Sequence, residues 1–229
     1  MDKIGFIGVG VMGKPMVRNL RKKGYTLYIH TRTREKVEDL LREEGVHWCD
    51  SVADCAEDRD AVITILGFPD EVERVFFGPE GIVQKADPGT YLIDMSTTDP
   101  DLSLRIYDES QAKGLRALDA PVSGGDSGAI NASLSIMVGG RQEDYTACLH
   151  LFEAIGQNIT HQGPAGAGQH CKMANQIALA GCIAGVCEAM GYVESVGLDV
   201  AAVLDSISKG AAGSWQMTNT APRILQGDR

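Results

Sequence analysis

The chain has 229 residues, 44% of them hydrophobic and 23% charged, enough for a water-soluble globular protein with one full core and part of a second. A net charge of -10 argues against a nucleic-acid partner, which needs clustered Lys and Arg, but leaves room for local anion sites. The cysteines, at 49, 55, 148, 171, 182 and 187, form no CxxC pair and have no His at ligand spacing, so free thiols are expected and neither a metal site nor a disulfide framework is.

The first residues, MDKIGFIGVG, hold an apolar run too short for a secretion signal, and a cytoplasmic location is expected. Ile4 to Ile7 reads as a strand, followed at once by Gly8-x-Gly10-x-x-Gly13 and a helix over Lys14 to Lys23. In that context the first glycine permits a tight turn, the second lets the backbone approach a pyrophosphate, and the third lets helix and strand pack closely. The helix N-terminus then faces the negative charge. Val11 and Met12, inside the turn, belong to the same expected dinucleotide site.

A second strand, Leu27 to Ile29, leads into HTRTREK. An acidic residue for the ribose hydroxyls is expected roughly 20 residues beyond such a turn. Thr31, Arg32 and Thr33 stand there instead, with Arg34 and Lys36 close behind. Cations in place of a carboxylate predict NADP, with NAD as the alternative and Arg32 as the main contact to a 2′-phosphate.

Further along, a helix is expected over Arg34 to Glu44, a strand at Ala61 to Leu66, a helix over Asp70 to Phe77 and a strand at Tyr91 to Ile93. Asp99 and Pro100 then start a helix over Asp101 to Lys113. Strands at Leu115 to Leu118 and Leu134 to Val138 and a helix over Gln142 to Ile155 complete the pattern. This alternation predicts an α/β fold, a Rossmann-type doubly wound and mainly parallel sheet. Ligands of such sheets sit outside the carboxyl ends of the strands, which brings Leu66, Gly67 and Thr97 to the cofactor cleft. The stretch LDAPVSGGDSGA turns after Asp119 into Ser123, Gly124 and Gly125, a hydroxyl beside unobstructed backbone N–H groups. Such a loop can hold a small carboxylate or be a plain turn.

After Gly168 no strand-like run follows, and a helix from Gln169 to Val196 is expected. Its part from Met173 to Cys187 is apolar or small on every side, read as too short and too polar-flanked for a membrane span and as buried in a protein core. Further helices are expected after Asp199 and near Trp215. The domains are therefore placed at 1–163, for the dinucleotide, and at 164–229, an incomplete all-α domain for substrate and dimerisation. Lys172 and Asn175, three apart, share a face of the long helix, where a lysine can pass a proton to a carbonyl oxygen as a hydride reaches its carbon.

Taken together, GVGVMGKPM, DAPVSGG and GPAGAGQHCKMAN, in this order, resemble the β-hydroxyacid dehydrogenase family of 3-hydroxyisobutyrate dehydrogenases and tartronate semialdehyde reductases. The resemblance implies Lys172 as the catalytic acid/base, Ser123, Gly124, Gly125 and Asn175 as contacts to a small carboxylate substrate, and Thr97 beside the cofactor. It implies a homodimer or higher homo-oligomer with no nucleic-acid or membrane partner. Ala174 stands where the 6-phosphogluconate dehydrogenases carry a His, which argues against a sugar phosphate. Family chains continue into helices bearing a second lysine, so this sequence is expected to be either a stretch of a longer enzyme or an impaired one. The reading from another class is a dinucleotide-binding interaction or sensing module without catalysis.

Overall fold

A computed structural model describes residues 1–227, which fall into two compact units, 1–172 and Met173 onward. The first is built on a sheet whose strands are β1 (Lys3–Ile7), β2 (Thr26–His30), β3 (Val46–Trp48), β4 (Ala61–Thr64), β5 (Tyr91–Asp94), β6 (Arg116–Asp119), β7 (Val122–Ser123), β8 (Leu134–Gly139) and β9 (Gly156–Gly163). Their order is 3-2-1-4-5-6-8-7, with β9 against β8. The first six are parallel to one another, β8 runs antiparallel to β6 and β7, and β9 is parallel to β8.

Alternation along the strands explains the layers. Ile4 and Phe6 of β1 face one side, with Ile29 of β2, Ile63 of β4 and Ile93 of β5, and join the helices α1 (Gly13–Lys22) and α7 (Gln142–Phe152) through Met16, Leu20, Leu151 and Phe152. Ile7, Val62 and Leu92 face the other, where α2 (Val52–Ala56), α3 (Pro69–Phe77), α4 (Ile82–Lys85) and α5 (Pro100–Ala112) contribute Cys55, Phe76, Ile82 and Ile106. Two covered faces make the doubly wound sheet expected from the sequence. The chain winds outward from β1 in one direction to β3 and in the other through β4 to β6, so the reversal lies at the carboxyl end of β1. A short α6 (Gly125–Ile130) follows β7.

The expected helix from Arg34 to Glu44 is instead a pair of 3₁₀ turns, Arg34–Val37 and Leu40–Arg42. Lys14 Nζ donates to the Lys36 carbonyl at 3.0 Å and pairs with Asp39 at 2.7 Å, so α1 takes a carbonyl that an α-helix would have used. Asp99 caps α5 as expected, accepting from the Asp101 N–H at 2.9 Å with Pro100 in the first turn.

The helix α8 (Ala167–Ser195) begins in the first unit and continues in the second, which also holds α9 (Val200–Ser208), a π turn (Gln216–Thr220) and α10 (Ala221–Leu225). Its core is small: Val186, Leu204, Met217 and Ala221. The expected burial of the middle of α8 is not found among the described residues. Ile177 is 68% exposed, Leu179 and Tyr192 are exposed too, and nothing lies within 4 Å of a side chain built at Gly181 or Gly185. Helices as short as α9 and α10 cover only the side of α8 that carries Val186. With 29 residues, α8 is also long and apolar enough to cross a membrane by length and composition alone, so shortness does not exclude a span.

Candidate active site

Two glycines of the turn after β1 are required by packing. Gly8 has φ of 98°, and a side chain there would strike the Ile65 carbonyl; one at Gly13 would strike the Gly8 carbonyl and come within 3.0 Å of the Phe6 ring. Gly10 differs: it is exposed, with nothing within 4 Å of a built Cβ. Its bareness leaves open the space that a pyrophosphate would fill. Val11 is exposed and Met12 immediately precedes α1, whose N-terminus has no side-chain cap and no acidic residue in its first turn. The positive end of the helix dipole is thus left to an anion, although Lys14 N already donates to the Gly10 carbonyl at 3.0 Å and Pro15 has no N–H to offer. These residues fit a dinucleotide.

On one side of this turn, β2 ends at His30 and the chain continues through Thr31, Arg32 and Thr33. Arg32 is 83% exposed, and its Nη1 donates to Glu71 Oε1 at 2.7 Å. Arg34 is engaged elsewhere, its guanidinium 5.3 Å from the centre of the Trp48 ring. On the other side, Leu66 N donates to Ser96 Oγ at 2.9 Å, and Gly67 N to Glu71 Oε2 at 3.2 Å. Ser96 and Thr98 are buried, while Thr97 between them is exposed at the end of β5.

Beneath these loops lie two buried carboxyls. Asp94 closes β5 and its Oδ1 accepts from Thr64 Oγ1 at 2.8 Å and from Ser96 N at 3.1 Å. Burial pushes its pKa up to about 6, against the opposing pull of those hydrogen bonds. Asp119 closes β6 and accepts from Gly166 N at 2.8 Å and Gln169 N at 3.0 Å, capping the start of α8. Burial raises its pKa too, while the backbone donors lower it. A side chain at Gly168 would come within 2.7 Å of the Asp119 carbonyl, so this glycine is what lets the helix end sit on the strand.

Gln169 is the second tie. Its Nε2 donates to the Ser96 carbonyl at 2.8 Å and its Oε1 accepts from Thr98 N at 3.1 Å, joining the first turn of α8 to the loop that presents Thr97. Lys172 follows at i+3 and is 8% exposed. Its ammonium has no hydrogen bond or ion pair to another described residue. Burial alone draws its pKa below the ordinary lysine value.

The loop after β6 places Ser123 in β7, paired with Ser135 of β8, and then passes through Gly124 (φ 133°) and Gly125 (φ 62°) into α6. Asn19 of α1 is buried and its Nδ2 donates to the Ala129 carbonyl at 2.8 Å, tying the glycine-turn helix to α6. The first unit therefore contains the glycine turn, Thr31 to Thr33, Leu66, Gly67, Thr97, Ser123 to Gly125 and Lys172, all but the lysine at or just beyond strand ends. Asn175 belongs to the second unit, and its Nδ2 donates to Gln176 Oε1 at 2.9 Å.

A strand order of 3-2-1-4-5-6 with a glycine turn at its reversal point defines a Rossmann-type dinucleotide-binding domain. The comparisons with known proteins narrow this class. A family profile described as the NAD binding domain of 6-phosphogluconate dehydrogenase matches residues 3–163, and one described as the NAD-binding domain of NADP-dependent 3-hydroxyisobutyrate dehydrogenase matches 166–229. The chain is 51% identical to the uncharacterized oxidoreductase YkwC of Bacillus subtilis, covering 98% of this chain and 78% of that protein. It is 36% identical to the NAD-dependent L-serine dehydrogenase of Pseudomonas aeruginosa, over 99% of this chain and 76% of the other. A solved structure of Mycobacterium tuberculosis 3-hydroxyisobutyrate dehydrogenase with L-serine superimposes with a TM-score of 0.86 at 31% identity, covering 96% of this chain and 74% of that one. The chain belongs to the β-hydroxyacid dehydrogenase family, whose members are NAD(P)-dependent oxidoreductases.

Proposed function

We propose that the protein interconverts a short-chain 3-hydroxy acid and its semialdehyde, with NADP(H) as cofactor and Lys172 as the acid/base. The observation that carries this reading is a lysine, buried and without a counter-ion among the described residues, one helical turn from a side chain tied to the Thr97 loop. Keeping an ammonium in such a place is costly unless it is used. The nicotinamide, when bound, supplies or accepts the hydride. Lys172 donates a proton from Nζ to the aldehyde oxygen during reduction and takes it back in the reverse direction. Burial lowers the lysine's pKa from its ordinary value, which makes that proton easier to give up.

Ser123 with the N–H groups of Gly124 and Gly125 holds the substrate carboxylate. Gly8, Gly10, Val11, Met12 and Gly13 cradle the pyrophosphate, Leu66, Gly67 and Thr97 border the rest of the cofactor, and Thr31, Arg32 and Thr33 receive the 2′-phosphate. The missing carboxylate after β2 supports NADP over NAD. Residues 1–163 serve the cofactor, and the helical remainder serves substrate and self-association. The exposed apolar side of α8 then meets protein, not lipid, consistent with a cytoplasmic enzyme.

Replacing Lys172 with Ala is expected to lower kcat by about 10² to 10⁴-fold, the range of a positioned acid/base, while NADPH affinity stays within twofold. Turnover would be followed as NADPH oxidation against a panel of short semialdehydes. Retained turnover in Lys172→Ala would remove the lysine from the mechanism.

A further inference from the structure

The contact between Arg32 and Glu71 lies in a telling place. Arg32 follows β2 and Glu71 opens α3 after β4, and β1 lies between those two strands in the sheet. The ion pair therefore spans the carboxyl end of β1, where the glycine turn emerges. Its two halves are unequal: the Arg32 side chain is 83% exposed and Glu71 only 13%. Glu71 is also tethered, because its second oxygen accepts from Gly67 N at 3.2 Å, and its position in the first turn of α3 sets it at the favourable end of that helix dipole. The arginine stands out in solvent; the carboxylate is shielded and accepts two hydrogen bonds.

We propose that Glu71 is a specificity-determining residue that restrains the preference of this site for NADP over NAD. The inference rests on the reading of Arg32 as the contact to the 2′-phosphate. A phosphate arriving there competes with Glu71 for a guanidinium whose Nη1 is already engaged, and it faces a carboxylate that accepts from Gly67 N. Both effects oppose the phosphate, and neither touches a ribose that ends in a plain 2′-hydroxyl. The chain thus carries a cation for the phosphate and, against it, a fixed anion that keeps NAD competitive.

The variant Glu71→Gln separates charge from shape, since its amide oxygen can still accept from Gly67 N. Equilibrium dissociation constants for NADPH and NADH would be measured by nicotinamide fluorescence on the full chain, for wild type, Glu71→Gln, Arg32→Ala and the double variant, with thermal melts as a check on folding. Glu71→Gln is expected to tighten NADPH about 5- to 10-fold, the scale of one partly screened charge contact, and to leave NADH within twofold. Arg32→Ala is expected to weaken NADPH about 10- to 100-fold with NADH little changed, and the gain from Glu71→Gln shrinks in that background. If Arg32→Ala discriminates as expected but Glu71→Gln shifts both cofactors by one factor, Glu71 is only an anchor for its loop and this proposal fails alone. If Arg32→Ala treats both cofactors equally, the phosphate contact itself is wrong and both readings fall.

Discussion

Asp94 offers a test of how this sheet is held together at its functional edge. The side chain is buried, accepts from Thr64 Oγ1 and Ser96 N through Oδ1, and leaves Oδ2 without a hydrogen-bond partner among the described residues. Burial raises its pKa from 3.8 to about 6. A carboxyl that is harder to ionise in the folded chain contributes stability that is full below its unfolded pKa and lost as pH rises through the folded one. A rise from 3.8 to about 6 corresponds to about 3 kcal/mol, of which about 1.4 kcal/mol falls between pH 5 and 8. Asn at this position keeps an oxygen for Thr64 and Ser96 but cannot ionise. Urea unfolding of wild type and Asp94→Asn, followed by circular dichroism across that range, should therefore show the variant gaining about 1.4 kcal/mol relative to wild type as pH rises. Taking the difference cancels the groups both proteins share, such as Asp39 and Asp60, whose lowered pKa values act in the opposite sense. A difference that stays flat within about 0.5 kcal/mol would show that Asp94 ionises as freely in the fold as in the unfolded chain.

Asp119→Ala should destabilise the protein by about 2 to 5 kcal/mol in the same assay, because it strips the buried N–H groups of Gly166 and Gln169 of their acceptor; a cost under 1 kcal/mol would mean that water replaces the carboxylate. Gly10→Ala should leave the melting temperature unchanged, since the new methyl group meets nothing, yet weaken NADPH binding at least about 10-fold by occupying the approach of the pyrophosphate. Unchanged NADPH affinity in that variant would remove Gly10 from the cofactor site.

What the sequence disclosed was local. The glycine turn, the cap at Asp99 and most central strands are legible because each is set by residues next to one another. The strands that were not read, β3, β7 and β9, are short or sit away from the sheet centre. In β9, GQNITHQG, mainly polar residues face outward along much of its length, so no apolar run marks it. The helix expected from Arg34 failed for a different reason. Lys14, 22 residues away, claims the Lys36 carbonyl, and no window around Arg34 contains that competitor. Still longer separations hid Glu71 from Arg32, Asn19 from Ala129 and Asp119 from Gly166. Burial of α8 was misread because apolar composition shows that a surface seeks cover and says nothing of what provides it.

The groups that fix Lys172 all belong to the first unit. Asp119 caps the helix start from β6, Gly168 admits the close approach, and Gln169 binds the loop at the end of β5. Each hydrogen bond is buried, so breaking one leaves an unsatisfied polar group with no water to take its place. The lysine is therefore referenced to the same strand ends that carry Thr97 and the glycine turn, and its position does not depend on the exposed length of helix that follows. On the proposed reading, Asp119 and Gln169 place Lys172 relative to the strand ends assigned to the cofactor. A substitution at either should depress turnover more than one at Ile177, whose side chain is open to solvent five residues further along the same helix.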